Sequence, residues 1–189
     1  MIVTIGRQNG SGGREVGRIL AEKMGVPCYD REIVEETARR SGRSIDEVER
    51  QEEVAHSESR LYFGGVPPAS HMFEEQAAVI RDLASNGPCV FVGRSADYIL
   101  RDRDDIVSVF ITAPVPDRIK RSAARNGISE KNAYERITMK DRARSEYCRR
   151  YTGRVWGDAS NYNLAVNTGP IGVDAAAEMV LEYIRRMSS

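Results

Sequence analysis

The chain has 189 residues, 41% of them hydrophobic, which suffices for one α/β domain with a core of its own. Its 28 basic side chains balance 28 acidic ones, which argues against a general nucleic-acid binder, and no apolar run approaches the ~20 residues a membrane-spanning helix needs. Cys28, Cys89 and Cys148 are scattered at no metal-ligand spacing and the first apolar stretch is too short for a signal peptide, so the expectation is a reduced, cytoplasmic protein with no metal-ligating residues and no membrane partner.

Residues 2–5 read as a buried strand, and residues 13–24 carry Val16, Ile19 and Leu20 at helical spacing. Between them runs Gly10-Ser11-Gly12-Gly13-Arg14-Glu15. A glycine-rich turn from strand to helix wraps backbone N–H groups around a phosphate, and the helix start adds its positive dipole end. The usual phosphate loop, G-x-x-x-x-G-K-[ST], also supplies a Lys for the outer phosphates and a hydroxyl for magnesium. Aligned on Gly12, this chain places Arg7 at the first Gly position, Gly13 at the Lys position and Arg14 at the hydroxyl position. The backbone scaffold is present without its two chemical side chains. A dinucleotide fold is the rival: Asp30 stands near the distance it expects, but Glu15 occupies the place of its third glycine.

Residues 26–29 form a short extended segment, and 31–40 read as a helix. Ser44-Ile45-Asp46-Glu47 is a capping box that opens another. Residues 56–69, with Gly64-Gly65 and Pro67-Pro68, read as a mobile loop flanked by His56 and His71, both taken as solvated loop histidines. A helix over 70–85, the turn Asn86-Gly87-Pro88 and a buried strand over 89–92 follow. Residues 106–112 form another strand, a helix starts near Pro116, and a long charged helix covers 129–151. A last strand at 164–167 and an amphipathic helix at 173–187 close the chain. This alternation predicts one doubly wound, mostly parallel sheet over residues 1–189 with helices on both faces. Two insertions, 30–85 on the acceptor side and 130–160 as a lid, would roof a site at the strand ends.

Five segments taken in order resemble the cytidylate kinase-like family of P-loop nucleoside monophosphate kinases over nearly the whole chain. They are the loop from Gly6 to Arg14; Tyr29-Asp30-Arg31-Glu32; Val92-Gly93-Arg94-Ser95-Ala96-Asp97; Phe110-Ile111-Thr112-Ala113 with Arg118 and Arg121; and Asp141-Arg142-Ala143-Arg144 running on to Trp156-Gly157-Asp158. The Gly-Arg pair is similar to the Gly-Arg-Asp of cytidylate kinases, whose Arg grips the monophosphate. The Asp-Arg-x-Arg run is similar to their arginine-bearing lid. The resemblance implies a P-loop NTPase-type sheet with a helical lid, and phosphoryl transfer from ATP to a nucleoside monophosphate, CMP or dCMP first. In that reading Gly10, Ser11, Gly12, Gly13, Arg14 and Glu15 surround the ATP phosphates, with Arg14 replacing the missing Lys. Asp30, Arg31, Arg94, Asp97, Asp141 and Arg144 hold the acceptor, while Arg142 and Arg149 neutralise charge in a closed state. Mg2+ would be held through water and phosphate oxygens. Such transfer needs N–H donors, guanidinium groups and a site that closes against water, which these residue types supply.

Structural alternatives stand beside these roles. Asp30 suits the N-cap of the helix that follows it. Arg142 with Glu146, and Asp141 with Arg144, lie at helical salt-bridge spacings. Trp156 and Tyr162 suit packing at the base of the lid. A non-catalytic nucleotide sensor, or a kinase for a different small acceptor, would use the same scaffold.

Overall fold

The computed structural model describes residues 1–53 and 68–187. In chain order its elements are β1 (Ile2–Arg7), α1 (Gly13–Met24), β2 (Cys28–Tyr29), α2 (Arg31–Ser41), α3 (Ile45–Glu53), α4 (Pro68–Ser85) and β3 (Cys89–Val92). Then come α5 (Ala96–Ile99), β4 (Ile106–Thr112), α6 (Val115–Asn126), α7 (Glu130–Thr152), β5 (Leu164–Asn167) and α8 (Gly172–Met187). The strands pair in the order β2-β3-β1-β4-β5, every neighbouring pair parallel. This is a doubly wound sheet with β1 at its centre.

Successive side chains of a strand point to opposite faces, and both faces here are buried. Val3 and Ile5 of β1, with Val90, Val92, Val107 and Val109, pack against Val16 and Leu20 of α1 and Ala177 and Val180 of α8. Ile2, Cys89 and Phe91 face the other way, onto Ile33 of α2, Ile80 of α4 and Ile99 of α5. Each such burial is worth about 1.5–3 kcal/mol per large side chain. The central strand is therefore the best anchored, and its C-terminal end is where a precisely held loop can be built. From that end α1 leaves on one face, while β3 and β4 flank it on either side. The crevice between their carboxyl ends is the topological switch point of such a sheet.

The capping box of α3 forms: the Ser44 N–H donates to Glu47 Oε2 at 2.8 Å, and the Glu47 N–H donates to Ser44 Oγ at 3.3 Å. Ser129 caps α7 by accepting the Asn132 N–H at 3.2 Å, and Gly153 ends that helix with φ 71°. The loop expected over 56–69, with His56 and Gly64-Gly65, lies outside the described residues except where α4 already begins at Pro68. His71 stands on α4 rather than on a loop, exposed and 3.4 Å from Glu75. Between β2 and β3 the described residues form helices α2, α3 and α4, and α7 spans most of the segment expected to form a lid. Among the described residues, no helix is long and apolar enough to cross a membrane.

Candidate active site

The chain leaves β1 through Gln8, whose N–H still donates to Ile111 O at 3.0 Å, and enters α1 through Gly12. Gly10 and Gly12 both sit in the left-handed region, at φ 79° and 84°. A Cβ at Gly10 would lie 2.6 Å from Arg118 O, and one at Gly12 would lie 2.6 Å from Val173. Glycine is required at both for space as well as conformation.

The loop's carbonyls are turned into the protein. Arg121 Nη1 donates to Gly10 O at 2.6 Å and Thr168 Oγ1 to Ser11 O at 2.7 Å. Gln8 O accepts from the Ser11 hydroxyl and, at 3.3 Å, from its N–H. Among the described residues, the N–H groups of Gly10, Gly12, Gly13 and Arg14 have no protein acceptor. With carbonyls pinned inward, these donors and the start of α1 face a cleft of about 390 Å³.

A group of cations lies beside the loop. Arg7, Arg94, Lys140 and Arg144 line the cleft, with Asp97, Tyr147, Trp156 and Tyr162 further along it. Burial, then the charge of Arg144, pushes Arg7 down to about 9. Burial and the charge of Arg7 push Arg94 down to about 10. Arg144 falls to about 10, chiefly by burial, although Asp141 opposes the shift. Desolvation and Arg144 lower Lys140 as well. Like charges gathered away from water at one place make a site that attracts an anion. Two carboxylates stand among them: Asp30 pairs with Arg14 and lies 3.8 Å from Arg7, and Asp141 lies 3.6 Å from Arg144, the helical pair its spacing suggests.

Arg94 reaches this group by way of an unusual backbone. Gly93, Arg94 and Ser95 have φ of 85°, 62° and 50°, a left-handed run in which two residues are not glycine. Such conformations are held at about 1–3 kcal/mol each and cluster at functional sites. The turn ends β3, opens α5 and aims the guanidinium back toward β1.

A profile of the cytidylate kinase-like family matches residues 2–170. The chain belongs to that family. It is 28% identical to a cytidylate kinase of Aeropyrum pernix over 178 residues, covering 94% of this chain and 95% of that one. It is 26% identical to a cytidylate kinase of Pyrococcus horikoshii over 189 residues, covering 97% and 90%. Among solved structures it is similar to an uncharacterized protein from Eubacterium ventriosum, at 29% identity and a TM-score of 0.76, with 98% of each chain covered. It also resembles a shikimate kinase from Bacteroides thetaiotaomicron at 11% identity and a TM-score of 0.59, covering 98% of each, which establishes the P-loop kinase fold.

For a member of the cytidylate kinase-like family, most of the site residues read from sequence converge on the cleft. Gly10, Gly12, Gly13, Arg14, Glu15, Arg94, Asp97 and Arg144 line it, while Ser11 is fully buried beneath the loop. Asp30 occupies the N-cap position of α2 but makes no capping hydrogen bond, because its carboxylate goes to Arg14 and Arg7 instead. The capping alternative is thereby corrected.

Four residues are placed differently. Arg31 points outward and pairs with Glu35 at 3.1 Å along α2. Arg142 pairs with Glu146 at 3.0 Å on an exposed face, and Arg149 is exposed as well. The helical period explains the last two. Lys140, Arg144 and Tyr147 fall on the cleft face of α7, whereas Arg142 and Arg149, about two turns apart, share the opposite face. Asp141 does not line the cleft either. Its carboxylate accepts the Asn9 N–H at 2.6 Å and pairs with the buried Arg118, so it ties α7 and α6 to the loop. Tyr147 fixes the same helix to α4, its hydroxyl donating to Gln76 Oε1 at 2.8 Å.

Sequence reasoning missed Arg7 as a site residue, along with Lys140 and Tyr147. For Arg7 a signal existed: a large side chain at a loop glycine position, with a glycine at the loop's lysine position. Trp156 and Tyr162 both pack around Phe110, at centroid distances of 5.5 and 5.0 Å, and both also line the cleft. Among the described residues, no group of three or more His, Cys, Asp or Glu is arranged to hold a metal.

Proposed function

We propose that this cleft transfers the terminal phosphoryl group of ATP to a nucleoside monophosphate, with CMP or dCMP as first choice. The observation that carries it is the buried trio Arg7, Arg94 and Arg144 lining the cleft beside the phosphate loop. An acceptor bearing its own phosphate brings negative charge to this gathering of cations, and guanidinium forks match phosphate oxygens. The cytidylate kinase relatives point to the same acceptor class.

In this reading the N–H groups of Gly10, Gly12, Gly13 and Arg14 hold the donor phosphates, with the Arg14 and Glu15 side chains at the rim. Arg94 and Arg144 hold the acceptor phosphate, and Asp97 stands near the aromatic end with Trp156 and Tyr162. An oxygen of the acceptor phosphate forms the new P–O bond. The bond between the γ-phosphorus and the β–γ bridging oxygen breaks, and ADP keeps the electron pair. The protein supplies positioning and charge neutralisation, the main requirements of phosphoryl transfer. Magnesium, arriving with ATP, adds charge neutralisation of its own. The residues here fit an ion held by phosphate oxygens and water, the ion's preferred mode, rather than a protein cage.

The test is a magnesium-dependent ATP consumption assay across a panel of nucleoside monophosphates. Turnover with a pyrimidine monophosphate supports the proposal, and turnover with none of the panel overturns it. A non-catalytic sensor is the second reading, favoured by the absence of Lys at position 13 and of Ser or Thr at position 14. Nucleotide binding without turnover would establish it.

A further inference from the structure

The two departures of this loop from the usual pattern are a single exchange in space. Arg7 stands where the ordinary loop has its first glycine, and Gly13 stands where it has its lysine. A Cβ built on Gly13 would lie 2.5 Å from Arg7 Cβ and 3.1 Å from its Cγ. A side chain at position 13 would therefore have to start in space that Arg7 already fills. Further out, a Cβ at Gly93 would collide with the Arg7 guanidinium, lying 2.6 Å from its Cζ. Arg7 thus runs in a corridor between two glycines, crosses in front of the helix start and ends among Asp30, Arg94 and Arg144.

Resting on the reading that the loop holds ATP phosphates, we propose that Arg7 supplies, from the end of β1, the cation that other phosphate loops supply from their lysine. The side chain begins beside the free N–H groups of the loop and ends against the acceptor wall. That is where charge moves during transfer, from the β–γ bridging oxygen to the phosphoryl oxygens. Its side chain is only 14% exposed, against 39% for Arg14, which sits further out and pairs with Asp30. The carbonyl of Arg7 accepts from Arg144 Nη1 at 3.2 Å, which fixes the backbone from which the side chain starts. Burial and the charges of Arg144 and Arg14 push its guanidinium down to about 9, opposed in part by Asp30 and Asp141. An incoming polyphosphate relieves that strain directly.

The experiment compares the parent with Arg7→Ala, Arg14→Ala and the reciprocal exchange Arg7→Gly/Gly13→Lys. Two quantities are read: calorimetric affinity for inorganic tripolyphosphate, and turnover with ATP and CMP. Arg7→Ala is expected to weaken tripolyphosphate at least tenfold and to lower turnover a hundredfold or more. Arg14→Ala should lose at least tenfold less than Arg7→Ala on both. The exchange variant, which rebuilds the ordinary loop and retains a cation, should recover at least tenfold of the loss. Parental tripolyphosphate affinity in Arg7→Ala, a larger loss in Arg14→Ala, or an exchange variant no better than Arg7→Ala would each overturn the assignment. Should Arg7→Ala fail to fold, the exchange variant alone decides: affinity within tenfold of the parent supports the proposal, and a greater loss refutes it. Should the parent turn over none of the monophosphates, the acceptor reading fails, while the tripolyphosphate arm still tests Arg7.

Discussion

On the loop wall of the cleft, the charge that meets a phosphate belongs to the backbone. Gly10 and Gly12 take left-handed conformations at little steric cost, the carbonyls are bonded into the protein, and the N–H groups are left facing outward. On the wall beside it the charge belongs to side chains, and it is held under strain. Arg94 and Ser95 occupy the left-handed region without being glycine, and Arg7, Arg94 and Arg144 repel one another in a dry environment. The first wall can be complete without its ligand. The second holds like charges close together at a cost that a bound anion would lower, so stability and binding should oppose each other there and not on the loop.

The largest expected effect tests whether Asp141 belongs to either wall. It pairs with Arg118, whose side chain is 8% exposed, and it accepts the Asn9 N–H of the loop. Removing one partner of a buried ion pair strands the other, at about 3–5 kcal/mol. Asp141→Ala should therefore lower the melting temperature by roughly 10 °C or more. Monophosphate affinity, measured well below that temperature, should change no more than a few-fold. An unchanged melting temperature with a tenfold loss of monophosphate affinity would move Asp141 to the acceptor wall.

Arg94 comes next, with opposite signs for binding and stability. Loss of a charge-assisted contact costs about 1.5–3 kcal/mol, so Arg94→Ala should weaken monophosphate binding roughly ten- to hundredfold while ATP binding is nearly unchanged. Calorimetry with each nucleotide separately checks this, and the reverse pattern would exchange the two walls. Arg94→Gly should lose the same affinity yet raise stability by about 1 kcal/mol, because glycine accepts φ near 62° without penalty. That variant melting below the parent would show that the Arg94 side chain contributes more to the fold than its backbone costs.

How much of this was legible in the sequence follows from how local each feature is. The strands at 89–92 and 106–112 match the observed β3 and β4 because buried strands read as near-continuous apolar runs, and 164–167 matches β5, an edge strand of which Val166 is buried. The glycine loop was readable because its conformation is dictated by residue type. Short α5 was not, since it opens from a left-handed turn of non-glycine residues that no propensity announces. The Arg118–Asp141 pair and the Arg7–Gly13–Gly93 corridor join residues distant in sequence, and only the packed sheet brings them together. Asp30 looked like a helix cap because capping is local, whereas its guanidinium partners come from other elements. The lid arginines were read as one group because they are close in sequence; the helix sorts them onto two faces.

That sorting supports the smallest expected effect. Arg142 and Arg149 lie on the outward face of α7, Arg142 with 73% of its side chain exposed and paired to Glu146. Exposed pairs of this kind contribute little, and neither guanidinium faces the cleft. Arg142→Ala and Arg149→Ala should each leave kcat/KM within about threefold and the melting temperature within about a degree. Arg144→Ala, one face away on the same helix, should cost ten- to hundredfold. A hundredfold loss from either outward arginine would require α7 to turn its other face inward when substrates bind. The ties of that helix to the loop through Asp141 and to α4 through Tyr147 would then have to break in each catalytic cycle. In that case the cleft described here would be an open state, and the acceptor wall would gain its last cations only on closure.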